Sequence, residues 1–159
     1  TVIRGTPVLV QLMIWYFVVF ASSRNGLMIA AFAFGINSGA YVAEIIRSGI
    51  MAVDAGQMEA GRSLGFGYVA TMRFIILPQA IKSIMPSLIN EFISLLKNTT
   101  LIASIGLVDI LRVGQLIQSR TYRAFEPFFA IAVFYYILVM ALSFLGKLLE
   151  RWVNKSDRR

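Results

Sequence analysis

Pro127-Phe-Phe-Ala-Ile-Ala-Val-Phe-Tyr-Tyr-Ile-Leu-Val-Met-Ala-Leu-Ser-Phe-Leu-Gly-Lys-Leu-Leu149 decides the fold. It is an apolar run of more than 20 residues, and a helix needs about 20 to cross the hydrocarbon of a bilayer. Its polar positions are few, chiefly Tyr135, Tyr136 and Ser143, so most of its circumference suits lipid. Lys147, Arg151, Lys155, Arg158 and Arg159 trail it, the pattern expected of a cytoplasmic tail.

Three further apolar runs lie upstream. The first, roughly Pro7–Ala21, is short for a span, and Ser22-Ser23-Arg24-Asn25-Gly26 reads as a turn. The second covers Leu27–Ile50, and the third Tyr68–Leu96, interrupted by Pro78 and Pro86. Between these two lies a polar, glycine-containing stretch, Ala52–Phe66. Lys97–Phe125 reads as less regular, with Leu101–Leu111 too short to span and best read as a partly buried or re-entrant segment. A cytoplasmic C-terminus then puts Ala52–Phe66 in the cytoplasm and Arg4 near that side. The Ser22–Gly26 turn falls outside, as do Arg112, Arg120 and Arg123, against the usual charge bias. The chain is expected to be a polytopic, all-α membrane protein, one transmembrane domain over residues 1–159 with a cytoplasmic segment over 52–66. It opens at Thr1 inside what reads as an ongoing element, so an N-terminal part is expected before it.

Composition agrees. Of 159 residues 58% are hydrophobic and 14% charged, against about 45–50% apolar and 25% charged in soluble domains; mean hydropathy is +0.74. The net charge of +7 sits at the ends of apolar runs, with no basic stripe interleaved with aromatics of the kind that binds nucleic acid. There are no cysteines and no histidines. Disulfides, thiolate sites, Ser-His-Asp triads and His-ligated metals are therefore excluded.

The helix faces carry polar stripes. In the second run Asn37, Tyr41, Glu44 and Ser48 share one face, while Ala31, Gly35, Gly39 and Ala43 form a small-residue stripe suited to close helix packing. Glu44 either faces a cavity or pairs with Arg47 near the headgroups. In the third run Gln79, Ser83, Ser87, Asn90, Ser94 and Lys97 recur every three to four residues, flanked by Lys82, Glu91 and Asn98. This stripe is roughly 28 Å long, close to the hydrocarbon thickness. It reads as a translocation path or, failing that, a polar interhelical seam.

Asp54-Ala-Gly-Gln57-Met-Glu59-Ala60-Gly61-Arg62-Ser63-Leu64-Gly65 predicts a short helix outside the membrane. Asp54 caps it with Gln57 at the reciprocal position, and Gly65 ends it in the left-handed conformation. It has no long apolar face, so it is expected to dock on a partner. Glu59-Ala60-Gly61, three residues, Gly65, nine residues, Ile75, one residue, Leu77-Pro78 resembles the EAA motif of ABC-importer permeases, departing from it at Gly61, where the family usually has alanine. Arg4-Gly5-Thr6-Pro7, Asn37-Ser38-Gly39-Ala40-Tyr41-Val42-Ala43-Glu44 and Lys97-Asn98-Thr99-Thr100-Leu101 resemble the polar amino acid uptake subgroup.

The resemblance implies that the short helix couples to a separate ATPase through Glu59, Ala60, Gly61, Arg62 and Gly65. It further implies that two permeases, as a homodimer or with a close paralogue, work with an extracytoplasmic amino acid-binding protein or domain in the inner membrane. ATP and Mg would be bound by the ATPase, and this chain would hold no cofactor; it has no Gly-x-x-x-x-Gly-Lys-[Ser/Thr] phosphate loop of its own. The expected substrate path comprises Asn37, Tyr41, Ser87, Asn90, Glu91, Ser94, Asn98 and Thr99. Glu91 suits a cationic side chain such as arginine, and Asn98 suits glutamine. Two other classes stand against this reading: a membrane-embedded enzyme using Glu44, Glu91 or Asp109, and a secondary transporter or channel for small polar solutes, which needs no docking helix.

Overall fold

In lipid the backbone must close its hydrogen bonds within the segment, and apolar runs do so as helices. The computed structural model describes residues 2–23 and 25–154, and no strand occurs among them. Arg24 of the expected outer turn, and Lys155, Arg158 and Arg159 of the expected cytoplasmic tail, lie outside the described residues. Helix α1 spans Val8–Ile14 and continues as a π-helical turn, Trp15–Val19. Helix α2 is Gly26–Met51, α3 is Ala55–Ser63, and α4 is Tyr68–Thr71. A second π turn, Met72–Ile76, leads into α5, Leu77–Asn98, which runs on as a 3-10 helix over Thr99–Ile105; α6 is Ile110–Thr121 and α7 is Phe125–Asn154. Among the described residues three stretches are long and apolar enough to cross a membrane: Gly26–Met51, Tyr68–Ile105 and Phe125–Val153.

The chain divides into two units. One comprises the chain through Ala40 together with Phe92–Leu142. Its core is Leu12, Ala30, Ala33, Phe34 and Ile105, where two alanines let α1 and the 3-10 segment approach α2. Trp15 meets Phe32 edge-on, with ring centroids 5.0 Å apart. The third apolar run extends to Ile105, past its expected limit at Leu96. The hydroxyls of Thr99, Thr100 and Ser104 each donate to the carbonyl three residues back, which suits the tighter 3-10 winding. Leu101–Ile105 therefore completes the long helix instead of starting a separate re-entrant segment. Asp109 caps α6, its carboxylate accepting from the Arg112 amide at 2.7 Å.

The second unit comprises Tyr41–Glu91 and the chain from Ser143 onward. Here Gly49 of α2 lies against Ile84 of α5, and Gly146 of α7 against Ile89; a β-carbon at either glycine would collide with the isoleucine. The expected interruption by two prolines takes another form. Pro86 sits inside a continuous α5. Pro78 lies inside the same continuous helix, directly after the π turn Met72–Ile76, so the irregular turn stands where proline removes an amide donor.

Candidate functional site

The segment joining α2 to α4 is built by local chemistry. Asp54 accepts from the Gly56 amide at 2.7 Å and starts α3. At the other end Gly65 is left-handed, with φ of +84°. The Phe66 amide bonds the Gly61 carbonyl at 3.1 Å and the Gly65 amide the Arg62 carbonyl at 3.0 Å, the paired bonds of a glycine-terminated helix. The expected reciprocal cap does not form: the Gln57 side-chain oxygen instead accepts from Gln79 of α5 at 3.3 Å. Glu59, Ala60, Arg62 and Gly65 are exposed, whereas Gly61 is buried. Its α-carbon faces Thr71, which is fully buried, and Ile75. A helix without a long apolar face thus still seats one small residue against its own chain. Leu64 and Phe66, on either side of Gly65, are exposed at 77% and 46%. The sequence reading missed them because an apolar pair in a turn has no periodicity to reveal it.

The polar stripes are placed as follows. On α2, Asn37 is buried and its side-chain amide donates to Gln11 of α1 at 3.0 Å, so it points to α1 and not to open space. Tyr41 is exposed. Arg47 grips Glu44 through two guanidinium nitrogens, so the expected pairing of these two residues forms. The stripe Ala31, Gly35, Gly39, Ala43 is exposed, and nothing lies within 4 Å of a β-carbon built at Gly35 or Gly39.

On α5, Ser87 and Asn90 are exposed and Glu91 is half-buried. Ser94 and Asn98, in the first unit, are half-buried, and Thr99 is exposed. The hydroxyls of Thr99 and Thr100 donate to the carbonyls of Leu96 and Lys97.

Gln11 also escaped the sequence reading. Its side-chain nitrogen donates to the Ile3 carbonyl at 2.6 Å, the Thr6 hydroxyl at 2.6 Å and the Thr6 carbonyl at 3.2 Å, while its oxygen accepts from Asn37. These bonds tie the 2–6 turn to Asn37, near the middle of the 26-residue α2.

Three membrane-length helices, no strand among the described residues, and a hydrophilic capped helix between the first two spans define a multi-pass, all-α membrane protein. The chain belongs to the binding-protein-dependent transport system inner membrane component family, which matches residues 1–155. It is 42% identical over 155 residues to the glutamine transport system permease protein GlnP of Escherichia coli K12, covering 94% of this chain and 70% of the relative. Over 160 residues it is 41% identical to the arginine transport system permease protein ArtQ of Bacillus subtilis 168, covering 99% and 73%. Among solved structures, an amino acid ABC transporter crystallised with histidines superposes with a TM-score of 0.87 at 49% identity, over 94% of this chain and 71% of that one. The chain is therefore an inner-membrane transport component.

Proposed function

We propose that this chain is the permease subunit of an ATP-driven importer for polar amino acids, glutamine or a basic amino acid such as arginine. The observation that carries the proposal is α3: a nine-residue polar helix, capped at both ends, with Glu59, Ala60 and Arg62 exposed, placed between two membrane-length helices. A channel or secondary carrier needs no such element, whereas a permease driven by a separate ATPase needs a surface on which that ATPase can push. Glu59, Ala60, Arg62 and Gly65 present that surface, with Gly61 seating the helix on Thr71. The substrate is suggested by relatives named for glutamine and arginine transport.

In this reading residues 1–159 act as one transmembrane domain with the C-terminus in the cytoplasm. Two copies, or this chain and a paralogue, form the path. An extracytoplasmic binding protein or domain delivers the amino acid, and the partner ATPase holds ATP and Mg. Tyr41, Ser87, Asn90, Glu91, Ser94, Asn98 and Thr99 are the side chains offered to the solute, while Asn37 is spent on Gln11 of α1. Reconstituting the complex in proteoliposomes and measuring uptake of labelled glutamine and arginine tests the proposal. Uptake that requires ATP on the α3 side is expected; uptake independent of ATP would overturn it.

A further inference from the structure

We infer that Tyr135 of α7 is a two-position residue: its hydroxyl passes between Thr99 and Asp109, and by leaving Thr99 it yields that oxygen to the translocated amino acid. The inference rests on the reading of the chain as a permease and adds to its path two residues outside the polar stripes of α2 and α5.

Thr99, Asp109 and Tyr135 all belong to the first unit. Helix α6 lies close along α7 because Gly114 has no side chain: a β-carbon there would collide with Ile131 and touch Phe128. Tyr135 is four residues beyond Ile131, one turn along the same face of α7. Asp109 is five residues before Gly114, at the start of α6. These two positions meet. The Asp109 carboxylate is near enough to Tyr135 to act on it electrostatically, and the Tyr135 hydroxyl is hydrogen-bonded to Thr99.

The hydrogen bonds are unevenly shared. A hydroxyl has one proton and two lone pairs. Thr99 donates its proton to the Leu96 carbonyl at 2.6 Å, so Tyr135 is the donor in its bond with Thr99. Asp109 Oδ1 accepts from the Arg112 amide at 2.7 Å. Its Oδ2 is buried and has no partner among the described residues. A buried carboxylate oxygen left unpaired costs free energy. No other group is placed to meet it: residues 127–146 of α7 carry no charge, and the Arg112 guanidinium is turned to Gln115 at 3.3 Å. The phenolic proton of Tyr135 therefore has two acceptors and serves one at a time. On Thr99 it leaves Asp109 unsatisfied; on Asp109 it satisfies the orphaned oxygen and frees Thr99. Every amino acid carries N–H donors in its ammonium group, so a solute at Thr99 competes with Tyr135 for the same oxygen. Solute on Thr99 and Tyr135 on Asp109 thus favour each other, and linkage makes that coupling reciprocal.

The test uses the full complex in proteoliposomes. Asn caps a helix as well as Asp, so Asp109→Asn keeps the bond to the Arg112 amide while replacing the Oδ2 acceptor by a donor. The KM for uptake of both glutamine and arginine is expected to rise roughly fivefold, with the maximal rate changed less than about twofold, because Tyr135 stays on Thr99. In the Tyr135→Phe background, where nothing competes for Thr99, the same substitution should leave KM unchanged. The unaltered chain reports directly when its tyrosines are replaced by fluorotyrosine. The Tyr135 fluorine resonance, assigned by its loss in Tyr135→Phe, should shift on adding saturating glutamine or arginine and stay still in Asp109→Asn. Equal KM changes from Asp109→Asn with and without the Tyr135 hydroxyl would reduce Asp109 to a helix cap and overturn the inference. A Tyr135 resonance that neither amino acid moves would overturn it too, and decides the matter if Asp109→Asn fails to assemble. ATP-dependent uptake by the unaltered complex is measured alongside. Its absence counts against the permease reading itself; normal uptake with either of those two results counts against this inference alone.

Discussion

Gln79 donates to the side-chain oxygen of Gln57 across 3.3 Å, joining the first turn of α3 to the first turn of α5. The same Gln79 nitrogen bonds the Ile75 carbonyl at 2.9 Å, which fixes its direction. One turn along α3 from Gln57, Gly61 meets Thr71 and Ile75. Two contacts one helical turn apart resist rotation of α3 about its own axis. Gln57→Ala is expected to cost only about 0.5–1.5 kcal/mol of stability, as for one partly exposed hydrogen bond, yet to lower the amino acid moved per ATP several-fold. Parallel measurement of ATP hydrolysis and uptake checks this; an unchanged ratio would show that the bond transmits nothing.

Gly65→Val places a β-branched residue at φ of +84°, a conformation such residues rarely adopt. The variant should insert and bind its partner but lose the Phe66–Gly61 and Gly65–Arg62 bonds that end α3. Transport should fall while ATP hydrolysis persists. Normal transport in this variant would remove α3 from the coupling role.

Glycines of α2 should respond unequally. At Gly49 an added side chain meets Ile84, whereas at Gly35 it meets nothing in this chain. Gly49→Val should lower thermal stability in detergent by about 1–3 kcal/mol, the usual cost of overpacking. Gly35→Ala should leave the single chain's unfolding unchanged. If Gly35→Ala instead weakens cross-linking between two copies, the exposed stripe is where they meet.

Glu91→Gln should weaken uptake of cationic amino acids by roughly 1–3 kcal/mol, the loss of a charged hydrogen bond, and spare glutamine. Competition between labelled arginine and glutamine in the same vesicles reads the difference. Equal loss for both, with ATP hydrolysis still coupled, would make Glu91 a general part of the path without a selective role.

The spans were legible because burial in lipid demands long apolar runs, and α2 and α7 end within a few residues of their expected limits. The caps of α3 were legible too, since Asp54 and Gly65 carry local backbone chemistry in their residue types. What escaped were choices made by tertiary neighbours. Gln57 could reach back to its own helix or across to Gln79, and only the placement of α5 decides. Gly49 and Gly35 look alike in sequence; Ile84 stands opposite one and nothing opposite the other. Gln11 was hidden inside an apolar run because its partners Ile3, Thr6 and Asn37 declare no period. The back-bonds of Thr99 and Thr100 to Leu96 and Lys97 depend on the 3-10 winding that follows α5, which their residue types alone do not declare.

The π turn at Met72–Ile76 absorbs a residue. A π turn fits one residue more than an α turn into about the same rotation. Thr71 and the α3 seat lie before it, and Gln79, Ser83, Ser87 and Asn90 lie after it. Removing a single residue within 72–76 would let an uninterrupted α-helix form with the seat and that stripe in nearly their present phase. Chains of this type can therefore gain or lose one amino acid at this point while the seat and the stripe keep their relative aim.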